Sequence, residues 1–453
     1  MEQIIINQRN FFNSNATKPI EFRIEALKKL KQILIKNELL LEEAIYKDFK
    51  KSSFDNYTNE LGLLYKDISE AISNLKRWSS IKKVTTNWIN FPAKSYVIPE
   101  PLGVSLIIGA WNYPYQLSFA PVIASIAAGN TVILKPSEVP QNTSKIITQL
   151  INTNFSPDFF KVIEGGIEET TNLLKQKFDK IFFTGSVPVG KIVYQAAAKN
   201  LTPVTLELGG KSPAIVTSDC NLKMCAKRLI WAKFLNAGQT CIAPDYVYVH
   251  KNIEEQFLKI CKEEIEKSNL SFENHNYVQI INEKNHKRLT NLIAIEKIFY
   301  GGNYNIENRY IEPTILKNVV EEDEIMKDEI FGPILPVLNY TDLSEVIKKI
   351  KNRPKPLACY IFTNNRNSKR RILNEISFGS GCVNDAVMQI SNSKLPFGGV
   401  GDSGIGSYHG ENGFKTFSHY KSILEKPNWF ELDLKYFPHS IKKLKIIKFL
   451  MKL

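Results

Sequence analysis

From Ile20 to about Ser80, apolar residues recur at intervals of three and four, as in Phe22, Leu27, Leu30, Ile33 and Leu34, with lysines and glutamates between them. That spacing places the apolar side chains on one face and predicts amphipathic helices. From Pro101 the pattern changes. The runs Val104 to Ile108, Thr131 to Leu134, Phe160 to Ile163 and Lys180 to Phe183 read as strands. They alternate with the helical stretches Pro114 to Ala128, Gln141 to Asn152, Glu168 to Lys177 and Val189 to Lys199. Strict alternation requires crossover connections, so the prediction is a mostly parallel, doubly wound sheet with ligands at the carboxyl ends of its strands.

After Gly209-Gly210 a second such series begins with Ala214 to Thr217, a helix over Leu222 to Leu235, and Tyr246 to His250. It continues with Ile334 to Leu338, a helix over Asp342 to Lys351, Leu357 to Phe362, and Gly381 to Asn384. The chain therefore divides near Glu207 to Gly210. A length of 453 residues agrees with more than one domain, since single cores stop growing beyond about 250 to 300 residues.

Composition narrows the class. With 43% hydrophobic and 23% charged residues the chain is an ordinary globular one, neither disordered nor a disulfide scaffold. Six cysteines without a CxxC or a Cys/His cluster argue for a reducing compartment, hence the cytoplasm, and against a structural metal. No secretory signal is expected at Met1 to Asn10, and no run reaches the roughly 20 apolar residues of a transmembrane helix. The formal charge of +13 is compatible with nucleic acid, an anionic membrane, an anionic ligand or solubility alone.

Four places carry candidate chemistry. Gly185-Ser-Val-Pro-Val-Gly190-Lys191 fills a GxxxxGK pattern but supplies Ile192 where a P-loop needs a hydroxyl for magnesium, which argues against nucleotide hydrolysis. The same turn follows a strand and opens a helix, so its amides suit a dinucleotide phosphate, or it is simply a tight turn. Lys135-Pro-Ser-Glu138 also follows a strand, where a donor and an acceptor suit ribose hydroxyls or a capped turn. Cys241 lies in a loop of small residues, Asn236-Ala-Gly-Gln-Thr-Cys241, whereas Cys220, Cys225, Cys261, Cys359 and Cys382 read as packing residues. Glu207 interrupts an apolar strand ending, so it is either paired with a cation or raised in pKa as a base would be.

Taken together these residues resemble the NAD(P)-dependent aldehyde dehydrogenases, in the class 3 and fatty aldehyde dehydrogenase branch. The matching stretches are Glu100-Pro-Leu-Gly-Val through Gly109-Ala-Trp-Asn112-Tyr-Pro, Leu134-Lys-Pro-Ser-Glu138, Phe183-Thr-Gly-Ser-Val-Pro-Val-Gly190 and Leu206-Glu-Leu-Gly-Gly-Lys-Ser-Pro213. Gly238-Gln-Thr-Cys-Ile-Ala-Pro244, Glu329-Ile-Phe-Gly-Pro333 and Leu395-Pro-Phe-Gly-Gly-Val-Gly-Asp-Ser-Gly404 follow in family order.

The resemblance implies an α/β aldehyde dehydrogenase fold, with a doubly wound, Rossmann-like cofactor domain over residues 1–78 and 99–208. It also implies an α/β catalytic domain over 209–395, a small β oligomerisation arm from 79–98 and 396–425, and a tail from 426 to 453. The helices follow Gln8-Arg-Asn-Phe-Phe12 directly, without the longer leading arm of tetrameric relatives, which implies a homodimer. Its chemistry implies Cys241 as nucleophile, Asn112 with the Cys241 N–H as oxyanion hole, and Glu207 as the base that activates water against a cysteine thioester. A glutamate at that position implies release of a carboxylic acid, since relatives that pass the acyl group to coenzyme A lack it.

The resemblance also assigns Lys135 and Glu138 to the adenine ribose, Gly185 and Ser186 to the pyrophosphate, and Glu329 and Phe331 to the nicotinamide ribose. A carboxylate at Glu138 accepts from a 2′-hydroxyl and repels a 2′-phosphate, so NAD is expected over NADP. Tyr113 and Trp231 are candidate walls for an apolar aldehyde, aliphatic or aromatic, and equally candidates for core. Gln389 stands where many relatives have His, at the expected pocket rim.

The tail changes the reading of the charge. Residues 426–453 hold seven lysines and two acids, a net +5. On a helix, Ile446, Phe449, Leu450 and Leu453 share a face, with Lys445, Lys448 and Lys452 away from it. Such a segment packs over a subunit or a pocket mouth, or lies peripherally on the inner membrane surface. Nucleic acid is not expected, because no binding module or dense basic-aromatic patch occurs outside the tail. The competing class, a silent family member serving as a binding or structural protein, would lack Cys241, Glu207 or Asn112, and all three are present.

Overall fold

The computed structural model describes residues 1–452. They form two compact units, one of residues 1–78 with 101–418, the other of residues 79–100 with those from 419 on.

The larger unit is built on two sheets. The first has the spatial order Gly404–Ile405, Val204–Glu207, Lys180–Thr184, Val104–Ile108, Thr131–Lys135, Phe160–Val162. All its pairs are parallel except that of Gly404–Ile405 with Leu206 and Glu207. Every residue of Val104–Ile108, Thr131–Lys135 and Lys180–Thr184 is buried, as expected of a parallel sheet covered on both faces. The register pairs Ile108 with Lys135 and Thr184 with Glu207, so the carboxyl ends of these strands lie along one edge.

The second sheet runs Ile298–Tyr300, Thr314–Leu316, Ile334–Tyr340, Tyr246–His250, Pro213–Val216, Ala358–Phe362, Ser380–Val383. It is parallel apart from its first pair. That hairpin is too short and too irregular in register for alternation along the sequence to reveal it.

Three boundaries differ from the sequence reading for local reasons. The helix expected from Pro114 begins at Gln116, because the Tyr115 and Gln116 N–H groups donate to the Glu60 carboxylate rather than to the preceding chain. The helix expected from Val189 begins at Val187, with Pro188 in its first turn, where a missing N–H costs nothing. Residues 396–418, assigned from sequence to the arm, pack in the larger unit, where the Leu208 N–H donates to Ser403 O at 3.1 Å.

In the smaller unit Lys82–Val84, Lys94–Pro101 and Ser418–Glu425 form a three-stranded sheet. Tyr96 donates to Glu425 at 3.1 Å and Lys421 pairs with Glu100 at 3.4 Å. The tail forms a helix over Ile441–Leu450, capped by Ser440, whose Oγ accepts from the Lys443 N–H. None of its residues is buried, and the apolar side chains of Ile441 and Phe449 are exposed. Leu453 lies outside the described residues. Among the described residues no helix is long and apolar enough to cross a membrane.

Candidate active site

The carboxyl edge of the first sheet borders a cavity of about 580 Å³. Lys135 and Glu138 lie in its wall, as do Gly185 and Ser186, Glu329 and Phe331, and Asn112, Glu207 and Cys241. The cavity thus brings these residues together from six separate stretches of the chain.

Cys241 follows a turn in which Asn236, Ala237 and Gly238 all have positive φ, at 54°, 51° and 71°. A Cβ at Gly238 would lie 2.2 Å from Gly332 O, so only glycine fits this turn. The turn is held by side chains. Asn236 Nδ2 donates to Asn112 O at 3.0 Å and to Gln239 O at 3.1 Å, while Gln239 Nε2 donates to Asn236 O and Gln279 O, both at 3.1 Å. Gln239 Oε1 accepts from the Ile281 N–H at 3.0 Å. Burial, then the carboxylates of Glu329 and Glu207, push the Cys241 thiol up to about 12. In the cofactor-free protein the thiol is therefore protonated at neutral pH.

Asn112 is buried, and its Nδ2 donates to Gln239 O at 3.1 Å. One N–H of the amide is thereby fixed against the Cys241 turn, which leaves the other for a cavity occupant. Glu207 ends its strand with a side chain only 3% exposed and neither carboxylate oxygen hydrogen-bonded. Of the two readings open from sequence, the unpaired one holds, and burial pushes this carboxyl well above its usual range. Glu329, raised to about 8 by burial and by Asp245, packs against Gly209, where a Cβ would stand 2.0 Å from its Oε2.

The remaining groups suit a dinucleotide. Lys135 Nζ is buried and bonds Glu138 Oε2 at 2.8 Å, while Glu138 is half exposed, so donor and acceptor stand together at the edge. Burial opposes ionisation of Glu138, but the Lys135 bond outweighs it and holds the carboxyl below its usual value. Ser186 precedes the helix Val187–Ala198 without bonding its first amides, which leaves them free for a phosphate. A Cβ at Gly185 would meet the Phe183 ring at 2.6 Å. Phe331, with φ of 50°, turns its ring against Trp111, the centroids 5.3 Å apart.

Tyr113 and Trp231 do not line this cavity. Tyr113 shares a 2.7 Å hydrogen bond with Thr240, the residue before Cys241. Trp231 is 46% exposed, because the buried face of its helix is formed by Cys225, Ala226, Leu229, Ile230 and Phe234. Gln389 is buried rather than at a rim, with Nε2 at 3.3 Å from the Tyr360 hydroxyl, which in turn donates to Ile242 O.

Four further residues hold the site and escaped the sequence reading: Asn236, Gln239, Lys51 and Glu60. The run Asn236-Ala-Gly was the available signal for the turn, since Asn and Gly tolerate positive φ. Nothing local marks Lys51 and Glu60.

The chain is similar to known proteins over nearly its whole length. The profile of the aldehyde dehydrogenase family matches residues 1–423. The chain is 46% identical to the 4,4′-diaponeurosporen-aldehyde dehydrogenase of Staphylococcus aureus, over 99% of this chain and 98% of that one. It is 42% identical to the dimeric, NADP-preferring aldehyde dehydrogenase of Mus musculus, over 94% of each. It is also 42% identical to aldehyde dehydrogenase family 3 member A2 of Pongo abelii, over 100% of this chain and 94% of that one. A solved structure of the substrate-bound state of Staphylococcus aureus AldH superposes with a TM-score of 0.97 at 46% identity, covering 99% of both chains.

Proposed function

The chain belongs to the aldehyde dehydrogenase family and oxidises an aldehyde to a carboxylic acid with NAD(P); from that premise we propose how its residues divide the work. The observation that carries the proposal is the cavity wall shared by Cys241, Glu207, Asn112, Lys135 and Glu138.

Cys241 Sγ passes its proton to solvent water and adds to the aldehyde carbon, whose π electron pair moves to the carbonyl oxygen as negative charge. The free N–H of the Asn112 amide and the Cys241 backbone N–H stabilise that oxygen, a single such donor being worth about 3 to 4 kcal/mol. The nicotinamide, when bound, supplies the hydride acceptor. The oxidised carbon stays on Cys241 Sγ as a thioester. Glu207 takes a proton from water, the water oxygen bonds to the thioester carbon, and Sγ leaves as thiolate.

For the dinucleotide, Lys135 and Glu138 hold the adenine ribose, Gly185 and Ser186 face the pyrophosphate, and Glu329 and Phe331 orient the nicotinamide ribose. The paired Glu138 carboxylate favours NAD over NADP. The groups for the adenine ribose and pyrophosphate fall in the domain of residues 1–78 and 99–208, and the nucleophile falls with Glu329 and Phe331 in 209–395. The aldehyde is apolar, in keeping with the diaponeurosporenal named for the bacterial relative. The test is NADH formation against aldehydes from short aliphatic to long-chain and aromatic, with Cys241→Ala as control. Absence of Cys241-dependent NADH on every member would refute the assignment of the nucleophile.

Two further readings concern partners. The strand Ser418–Glu425 is an edge of its sheet, so it can pair with a second copy of the chain, and a homodimer is the expected state in sedimentation. The helix Ile441–Leu450, with Lys442, Lys443, Lys445 and Lys448 and no acid, is complementary to an anionic membrane surface. Deleting residues 440–453 should abolish binding to phosphatidylglycerol vesicles. Retained binding, or altered long-chain kinetics without any vesicle binding by the full chain, would favour a packing or gating role instead.

A further inference from the structure

Lys51 and Glu60 form an ion pair with Nζ to Oε1 at 2.7 Å, and the two side chains are 1% and 0% exposed. Lys51 follows the helix Glu38–Phe49, and Glu60 sits in the π-helical turn Tyr57–Leu61, a widened turn of the kind found at functional sites. A buried ion pair of this sort is poor value as stabilisation, because desolvating both charges offsets their attraction, and an apolar pair of similar volume is often no worse. Stability alone therefore does not account for it.

The remaining bonds of the pair converge on one short segment. Lys51 Nζ donates to Asn112 O at 3.2 Å, and Glu60 Oε2 accepts from the N–H groups of Tyr115 at 2.7 Å and Gln116 at 3.2 Å. Lys51 Nζ also stands 4.2 Å from the centre of the Tyr113 ring. The segment from Asn112 to Gln116 is thus gripped at both ends, and Pro114 within it has no N–H to give. Asn112 O takes its second bond from Asn236 Nδ2, so the pair and the Cys241 turn hold the same carbonyl from two directions.

We propose that Lys51 and Glu60 are positioning residues for the oxyanion donor Asn112, fixing the backbone of residues 112–116 so that the Asn112 amide meets the aldehyde oxygen. The proposal rests on the reading of Asn112 as that donor. A misplacement of about 1 Å in such a group costs on the order of a hundredfold in rate, so the pair has catalytic leverage without touching substrate.

The test is a cycle of Lys51→Met, Glu60→Gln and Asn112→Ala, alone and with each pair variant combined with Asn112→Ala. It is read by NADH formation and by cofactor-independent hydrolysis of p-nitrophenyl acetate. Asn112→Ala should lower both kcat values about a hundredfold. Lys51→Met and Glu60→Gln should each lower both by about tenfold or more, with KM for NAD and the iodoacetamide reactivity of Cys241 unchanged. Added to Asn112→Ala, neither should lower the rate further, and Lys51→Arg should restore much of the loss of Lys51→Met.

Full additivity with Asn112→Ala, or kcat at the wild-type level in Glu60→Gln, would overturn the positioning role. Should Lys51→Met fail to fold, the isosteric Glu60→Gln decides by the same readouts. A wild-type rate in Asn112→Ala alone would instead overturn the oxyanion reading on which the proposal rests.

Discussion

Replacing Glu207 by Gln removes an ionisable group at nearly constant volume from a place where neither carboxyl oxygen has a partner. The fold should tolerate the change. The native carboxyl has a pKa well above its unfolded value, so over the pH range between the two the native state keeps a proton that the unfolded chain has lost. The contribution of Glu207 to stability therefore falls as pH rises through that range, by up to about 1.4 kcal/mol per pH unit. Glu207→Gln should accordingly melt no lower than the wild type at pH 8, with the difference shrinking toward pH 5.

Catalysis should respond in the opposite sense. Without its base, thioester hydrolysis should slow by about a hundred- to ten-thousandfold, while hydride loss, which precedes it, continues for one turnover. Rapid-mixing measurement should therefore show a burst of NADH near one per site followed by a slow phase, and intact mass after acid quench should show the acyl group on Cys241. The limb of the wild-type pH profile that rises as Glu207 loses its proton should be absent from the variant. Steady-state turnover within about threefold of wild type would refute the assignment, as would loss of the burst together with the steady state, which would place Glu207 before the thioester.

Three other outcomes are expected. With its thiol pushed up to about 12, Cys241 should react with iodoacetamide in the cofactor-free protein at a rate that climbs about tenfold per pH unit between about pH 7 and pH 10, and a plateau below pH 9 would contradict the burial argument. Glu138→Gln should raise the ratio of kcat/KM for NADP over NAD by about tenfold, since it removes a repelling carboxylate and frees Lys135 Nζ; an unchanged ratio would take the pair out of cofactor choice. Gly238→Ala should destabilise the protein by about 2 to 4 kcal/mol in urea denaturation, through its positive φ and the contact with Gly332 O, and a loss under about 0.5 kcal/mol would show that the turn relaxes.

Much of this molecule can be read from its chain, and the limits have physical causes. The strands of the first sheet announce themselves because each is buried on both faces and so forms a short continuous apolar run between helical patterns. Glu207 and Cys241 stand out because each breaks the texture around it. Lys51 and Glu60 do not, since a lysine and a glutamate in a helical region look like a solvated surface; their burial follows only from contact with residues 112–116, more than fifty positions away. Trp231 failed in the other direction. An aromatic beside a catalytic loop invites assignment to the pocket, but one step around a helix separates its exposed position from the buried face. The edge residues Gly404 and Ile405 belong to the first sheet and not to the arm that the resemblance implies, and two residues carry no periodicity that would mark them as a strand.

The contact between Gly238 and Gly332 has a mechanical consequence. One glycine belongs to the loop that carries Cys241, the other to the loop that carries Glu329 and Phe331, and they meet with no room for a methyl group between them. Neither loop can be lengthened, shortened or hinged without displacing the other. Variation that retunes the acceptor side of the reaction therefore reaches the sulfur as well, and changes of aldehyde preference are easier to accommodate on surfaces that this backbone lock does not bind together.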